Sequence, residues 1–383
     1  MDKPTVQDIF HRFYPAYLDQ YSPSPVQAKV AHNIMNCKTG AYGANVCVCE
    51  DCGSVQIHYN SCRNRCCPMC QAVPKEMWMD ARREDVLDAP YFHLVFTVPD
   101  ILNPVIYSNQ KLLYDALYHA ASATISELAA DSKHLGAKVG YICILHTWGS
   151  EMNFHPHIHT ILLGGGLASN NQWKDNGENF FLPIRVISKV FRGKYLEELK
   201  RLWKEDKLVF HGTAEKFRNH YTFKELLDSC YGMDWIPHCK KTFNGAQTVM
   251  KYLGKYTHRI AVSNHRTVRM DDDTVTFLVK DYRNEGQWKE LTISGIEFVR
   301  RFLMHVPPRR FVRIRHYGLL CSRTKNQKLT LCRNLLGCKK YLSKLRDMEM
   351  PEILEHLYGI KVCVCKACGG HLGKPQMRMP LRC

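Results

Sequence analysis

Three histidines alternate through Asn153-Phe154-His155-Pro156-His157-Ile158-His159-Thr160, a stretch whose apolar partners suit a β-strand. Residues two apart in a strand share a face, so His157 and His159 can hold one metal ion together, with His155 beside them. His146 and Gln247 are further candidates for a third ligand. A lone strand histidine more often ends as a satisfied core residue. Three at strict period two, running into Leu162-Leu163-Gly164-Gly165-Gly166, argue for metal instead. An ion held this way can activate water, as in a zinc hydrolase, or draw charge from a phosphate oxygen.

The tyrosines separate those two chemistries. In Met250-Lys251-Tyr252-Leu253-Gly254-Lys255-Tyr256-Thr257-His258-Arg259, Tyr252 and Tyr256 stand at i and i+4, on one face of a helix. Lys251, Lys255, His258 and Arg259 make that setting cationic, which suits phosphate better than a hydrophobic core. A phenol with a pKa of about 10 is a poor nucleophile until nearby positive charge stabilises the phenolate. Tyr252, Tyr256 and Lys255 are therefore the catalytic candidates.

A second chemistry belongs to cysteine. Of 18 cysteines, eight fall within the first 88 residues: Cys37, Cys47, Cys49, Cys52, Cys62, Cys66, Cys67 and Cys70. The pairs Cys49-x-x-Cys52 and Cys67-x-x-Cys70 offer four thiolates to one zinc, and the remaining four thiols are enough for a second, with His58 as a substitute. One or two structural zinc ions are expected here. The tail motif Cys363-x-Cys365-x-x-Cys368 lacks a fourth ligand, which Cys383 or His371 would have to supply.

Composition narrows the partners. Lys and Arg number 53 against 36 Asp and Glu, a formal charge of +17, which favours a polyanion such as nucleic acid. From Phe298 to Arg346 there are 14 Lys or Arg and no acid, a run that should repel itself unless an anion lies against it. The start of the chain lacks the basic and apolar features of a signal peptide, and no apolar run approaches bilayer length. The expected setting is the cytoplasm, without membrane contact, where clustered thiols stay reduced and bind metal.

Four regions are expected to position these groups. Residues 1–88 form a zinc-binding, DNA-recognition domain, with a helix from Pro25 capped by Ser24. Residues 89–264 form the catalytic domain, with strands at Phe92–Val98, Tyr141–His146 and His157–Leu163, the last ended by the glycine triplet. Its helices are expected near Tyr107–Ala130, Ser188–Glu205, Thr222–Leu227 and Gly245–Arg259, with Thr222 and Glu225 as a capping box. Residues 265–346 form a basic α/β region, with strands at Thr274–Val279 and Lys289–Thr292 and a helix from Ser294 to about His305. Residues 347–383 form a tail with the zinc-knuckle motif.

His-hydrophobic-His on a strand, followed by Tyr-x-x-x-Tyr on a helix, resembles the HUH nucleases. Among them it is most similar to the two-tyrosine rolling-circle transposases of bacterial insertion sequences, relatives of the Helitrons. The resemblance runs over nearly the whole chain. Asn60-Ser61-Cys62-Arg63-Asn64-Arg65-Cys66-Cys67-Pro68-Met69-Cys70-Gln71 looks like the family's zinc-binding domain, and residues 91–99, 146–149, 155–159, 252–264 and 313–319 follow its other blocks. Two positions depart from the pattern: Cys66 stands where the family has His, and Asn45 where it often has His, with Cys47 nearby.

The resemblance implies an α+β fold: an antiparallel HUH sheet with flanking helices, the paired histidines on a central strand, a cysteine-rich zinc-binding domain and a small basic C-terminal region. It implies Mg²⁺ or Mn²⁺ at the histidines, and cleavage and rejoining of single-stranded DNA through 5′-phosphotyrosine at Tyr252 and Tyr256. Arg63, Arg259, Arg309, Arg310, Arg313 and Arg315 are the expected DNA contacts, with duplex opening left to a host helicase and a nucleoid-associated, bacterial setting. A plasmid replication initiator or relaxase would share the chemistry. A non-enzymatic zinc-dependent DNA-binding regulator would bind DNA without a covalent adduct.

Overall fold

The computed structural model describes residues 3–176, 180, 182–235, 237–243, 254, 261–281 and 286–379. At its centre lies a six-stranded antiparallel sheet. The strand order is β11 (Ile314–Gly318), β4 (Lys138–Trp148), β5 (Phe154–Leu167), β3 (Tyr91–Thr97) and β7 (His238–Phe243), with β6 (Trp173–Asp175) paired to the end of β5. The two faces differ. Phe92, Leu94, Phe96, Tyr141, Cys143, Leu145, Ile158 and Leu162 point to one side and are buried under α5 (Gln110–Ala130) and α6 (Ile184–Lys204). The alternating set, Tyr91, Ile142, Ile144, Ile161 and Leu163, packs on the other side with Trp78 and Met79 of α3 (Ala72–Arg83) and Leu329 and Cys332 of α9 (Lys325–Leu336).

β5 does not stop at its glycines. It continues through Gly164-Gly165-Gly166, because a Cβ there would lie 2.8 Å from the Pro90 carbonyl oxygen, 2.4 Å from the Trp173 ring and 2.5 Å from the Lys138 carbonyl oxygen. The triplet permits close approach inside the sheet rather than ending the strand. The helix expected over 107–130 is two helices, α4 (Asn103–Ser108) and α5. Between them, the buried Asn109 amide donates to the carbonyls of Val105 and Val209 and accepts from the Val209 N–H. α7 (His220–Gly232) starts earlier than expected: Asn219 caps it by accepting from the Tyr221 N–H, and the Thr222 hydroxyl donates to the Lys216 and Asn219 carbonyls instead of capping.

A second core joins regions far apart in sequence. α1 (Val6–Gln20) and α2 (Pro25–Met35) pack against the sheet β10 (Gln287–Ser294), β9 (Thr274–Asp281), β8 (Thr267–Met270) and against α8 (Gly295–Met304). Both α1 and α2 open on capping boxes, Thr5 with Asp8 and Ser24 with Gln27, and α2 has Pro25 in its first turn. α1 is absent from the sequence reading. Its interior Pro15 argues against a helix, and burial of Ile9, Phe10, Phe13 and Tyr17 outweighs that cost. Phe10 meets Phe302 edge to face at 5.2 Å, and a Cβ on Gly295 would strike the Phe13 ring. A third, small sheet sets β1 (Ala44–Val48) between β2 (Val55–Tyr59) and β12 (Gln376–Arg378), just beyond α10 (Met350–Tyr358). The four consecutive regions expected from sequence are thus crossed three times: by residues 267–304 on the N-terminal helices, by β11 in the central sheet and by β12 on β1. Among the described residues no helix is long and apolar enough to cross a membrane.

Candidate active site and metal centres

Strand pairing assembles the histidines. His146 on β4 lies opposite His157 on β5, and His159 lies opposite Ile144 and Val95, all on the sheet face covered by α3. The ring nitrogens of His146, His157 and His159 come within 4.8 Å of one another, and the Nε2 atoms of His157 and His159 are 3.1 Å apart. All three rings are buried. His157 donates from Nδ1 to the His155 carbonyl at 2.6 Å, which leaves its Nε2 lone pair facing the other two. His159 Nδ1 lies 2.8 Å from Nε2 of His93, whose ring is stacked on it. Such outer partners fix tautomer and ring orientation for ligation through the opposite nitrogen. Burial pushes the His157 imidazole down to about 4, so it is neutral, the form that can ligate.

His155 lies outside this cluster. Pro156 sits where the β4–β5 register shifts between His146 and Trp148, and His155 turns aside to pair with Asp100 at 3.2 Å. Its carbonyl supports His157, and the nitrogen that clusters with those of His157 and His159 is that of His146. Sequence reasoning also passed over His93, Trp148 and His305. Trp148 stacks on His146 at 4.6 Å, while His305 bonds the Thr147 hydroxyl at 3.2 Å and the Met152 carbonyl at 2.9 Å, closing the end of β4. His93 in Phe92-His93-Leu94 was legible as a histidine on the same alternation as Tyr91 and Val95, hence on the metal face.

Tyr252, Lys255, Tyr256, Arg259 and Gln247 lie outside the described residues. Gly254, between the two tyrosines, is described and buried. A Cβ on it would be 2.3 Å from Met79 Sδ, so its backbone rests directly on α3, the helix that covers the histidine face.

The thiols form two clusters that the sequence pairing did not anticipate. Cys37, Cys62, Cys67 and Cys70 make one, with the Cys62 and Cys70 sulfurs 3.8 Å apart. Backbone N–H groups of Cys62 and Asn64 point at Cys37 and Cys62, and the Gln71 amide at Cys70. The Cys62 and Cys67 thiols, donating to Cys70, hold its thiol far below the ordinary value. Cys49 and Cys52 join Cys365 and Cys368 in the other. The two N-terminal pairs therefore fall in different clusters. Cys66 belongs to neither cluster; it follows a turn in which its N–H bonds Asn64 Oδ1, and it is buried near Arg65 and Arg313, where burial raises its thiol. Cys47 is buried beside the second cluster, which already has four thiols. His58 pairs with Asn45 across β1–β2, Cys363 is exposed, and His371 bonds Glu50, so none of these three completes a set.

The acid-free basic run finds its acids in space. Arg300 and Arg301 bond Glu297, Lys325 pairs with Asp85 at 2.8 Å, and Arg346 with Glu84 at 2.6 Å. Arg315 pairs with Asp115 and lies 4.0 Å from the Tyr118 ring centroid. Arg313 is held over Trp148 beside Cys66, where burial lowers its pKa. These two, expected on DNA, are engaged here in packing within the protein. Arg63, Arg309 and Arg310 remain exposed, and the zinc-motif loop meets the basic loop where Arg65 donates to the Pro308 and Phe311 carbonyls.

Comparison with known proteins adds a family to this geometry. A profile described as putative transposase matches residues 140–328, which include all three clustered histidines, and one described as transposase zinc-binding domain matches residues 9–98. A putative transposase, y4qJ of Sinorhizobium fredii, is 40% identical over 369 residues, 95% of this chain and 93% of its own. The transposase for insertion sequence element IS801 of Pseudomonas savastanoi is 30% identical over 79% of this chain and 72% of its own. Among solved structures, conjugative relaxase TrwC in complex with OriT DNA covers 43% of this chain and 71% of its own at 14% identity, with a TM-score of 0.25. With relatives matched along most of both chains, and with thiol clusters where the zinc-binding profile falls, the chain belongs to the IS91-type transposase family.

Proposed function

We propose that this transposase cleaves and rejoins single-stranded DNA with Tyr252 and Tyr256 as nucleophiles beside a cation held by His146, His157 and His159. The observation that carries the reading is the convergence of three buried imidazoles from two adjacent strands, two of them tethered through their far nitrogens. Three neutral imidazoles fit a first-row transition ion such as Mn²⁺ better than Mg²⁺, which prefers oxygen ligands. A divalent ion there supplies electrostatic stabilisation of the scissile phosphate and its leaving oxygen. The tyrosine oxygen, its proton released to solvent and its developing negative charge stabilised by the Lys255 ammonium, attacks phosphorus. The P–O3′ bond breaks, a 5′-phosphotyrosine forms, and the 3′ oxygen takes up a proton as a free hydroxyl. Because the phosphotyrosine conserves the bond energy, the 3′-hydroxyl of another strand can reverse the step without ATP. Two tyrosines allow a second cleavage before the first is resolved. Arg63, Arg309 and Arg310 supply phosphate contacts, and Cys37, Cys62, Cys67 and Cys70 hold a structural zinc under that surface.

The test is incubation with single-stranded element ends and Mn²⁺, followed by mapping of any denaturation-resistant protein–DNA adduct. Tyr252→Phe and Tyr256→Phe each remove one hydroxyl at nearly constant volume. Each single variant should still form an adduct through the other tyrosine while transposition falls sharply, and the double variant should form none. Adduct formation by the double variant at the wild-type level overturns the assignment.

A further inference from the structure

We infer that Cys49, Cys52, Cys365 and Cys368 bind one structural zinc ion that clasps the C-terminal tail onto the N-terminal zinc-binding module. The sulfurs of Cys49 and Cys368 are 3.5 Å apart and those of Cys52 and Cys365 3.8 Å apart, and all four lie within 4.8 Å of one another. Four sulfurs at about 2.3 Å from one tetrahedral ion would stand roughly 3.8 Å from each other, whereas a disulfide needs about 2 Å.

The two halves have the same local shape. Cys49-Glu50-Asp51-Cys52-Gly53 and Cys365-Lys366-Ala367-Cys368-Gly369 each fold back so that the glycine N–H donates to the first cysteine's carbonyl, at 3.0 and 2.9 Å. Each glycine takes a left-handed φ, +71° at Gly53 and +78° at Gly369, which closes the turn and presents both thiols on one side. N–H groups of Ala367 and Gly370 point at the sulfurs of Cys365 and Cys368, both at 3.4 Å, a setting for thiolates. The knuckle at Cys67-x-x-Cys70 is followed by Gln71 and lacks this closing glycine.

The apolar contact between the two halves is a cluster of Cys47, Cys49, Cys365 and Leu372, and β12 pairs with β1 at three residues. Backbone bonds from the Glu50 N–H to the His371 carbonyl and from the Gly373 N–H to the Val48 carbonyl align the strands across a separation of over 300 residues. The segment before the tail is already anchored on α3 through Ser343, Leu345 and Arg346, but so short a ladder and so small a core hold residues 363–378 only marginally. Four thiolates on one ion supply the missing stability. The Asp51 carboxylate accepts from the His371 N–H at 3.2 Å and leaves no room for a side chain at Gly370.

The experiment is zinc content of the full chain by atomic emission, with the histidine site disabled by His157→Ala and His159→Ala so that only thiol sites count. That background should hold two zinc ions per chain. Adding Cys365→Ser with Cys368→Ser should remove one, and hydrogen exchange should then rise at residues 376–378 and 44–48. Cys363→Ser should keep both ions, and Cys368→His, which preserves four ligands, should keep both as well. Cobalt substitution gives a second reading: the thiolate charge-transfer band should halve in the serine double variant. Two ions retained in that variant, or disulfides at these cysteines in protein purified under reducing conditions, would overturn the inference. None of these measurements depends on DNA cleavage.

Discussion

The histidine triad and the thiol clusters are both groups of residues able to ligate a metal, but they are positioned by opposite means. His146, His157 and His159 stand on paired strands in the middle of a sheet whose faces are both buried, and hydrogen bonds to His93 and to the His155 carbonyl set two of the rings. That sheet is held by its own hydrophobic core, so the ligands are in place whether or not an ion is present. The cysteines stand largely in turns and loops: Cys49, Cys52, Cys365 and Cys368 have a core of only Cys47, Cys49, Cys365 and Leu372 beside them, while Cys37, Cys62, Cys67 and Cys70 line the edge of the core under α1 and α2. There a bound metal would be a structural member. A site built for chemistry is paid for by the rest of the fold, while a site built for structure replaces a core.

Three measurements bear on that contrast. The largest effect belongs to the thiols. Cys67 is fully buried within its cluster, and Cys67→Ser should cost a large part of a zinc affinity that is roughly 10 kcal/mol or more for small structural sites. The expected outcome is loss of one zinc and loss of structure in residues 3–88, read by limited proteolysis. A native proteolysis pattern with zinc lost would erase the distinction between the two kinds of site.

His146→Ala should act in the opposite sense. Nicking of single-stranded DNA should fall by roughly 10²–10³-fold or more, as when a group that stabilises transition-state charge is removed. The proteolysis pattern and zinc content of the thiol sites should stay as in the parent protein. Global unfolding of this variant would mean that the triad, too, is structural.

The smallest effect tests how the triad is held. His93→Phe keeps an aromatic ring against His159 but removes the hydrogen-bond partner of its Nδ1. Binding of Mn²⁺, measured by calorimetry, should weaken about 10- to 100-fold, the usual consequence of losing such a partner. His93→Gln, which retains an acceptor, should recover part of the loss. Unchanged affinity in the Phe variant would remove His93 from the site.

Much of this site was readable because its signals are local. The alternation of His157 and His159 needs only the period of a strand, and the capping box at Ser24 only the first turn of a helix. His155 looked equivalent to its neighbours by spacing, and only the register shift beside Pro156 set it apart. The glycines after Leu163 read as a stop because their use, close approach by Pro90, Lys138 and Trp173, depends on residues distant in sequence. The basic run read as self-repelling for the same reason: Glu84, Asp85 and Asp115 lie far upstream of the cations they meet.

Residue types and short periods were therefore enough to specify the chemistry on offer: imidazoles on a strand, thiols in knuckles and a basic balance. Which of them meet was decided by tertiary structure. His146 joined His157 through strand pairing, Arg313 and Arg315 were drawn into packing, and Cys49 with Cys52 met Cys365 with Cys368. The physical reason is that spacing along a chain constrains partners only within a helix turn or a strand. Pairing across a sheet, or across a loop of hundreds of residues, is selected by burial and ligation that exist only once the whole chain has folded.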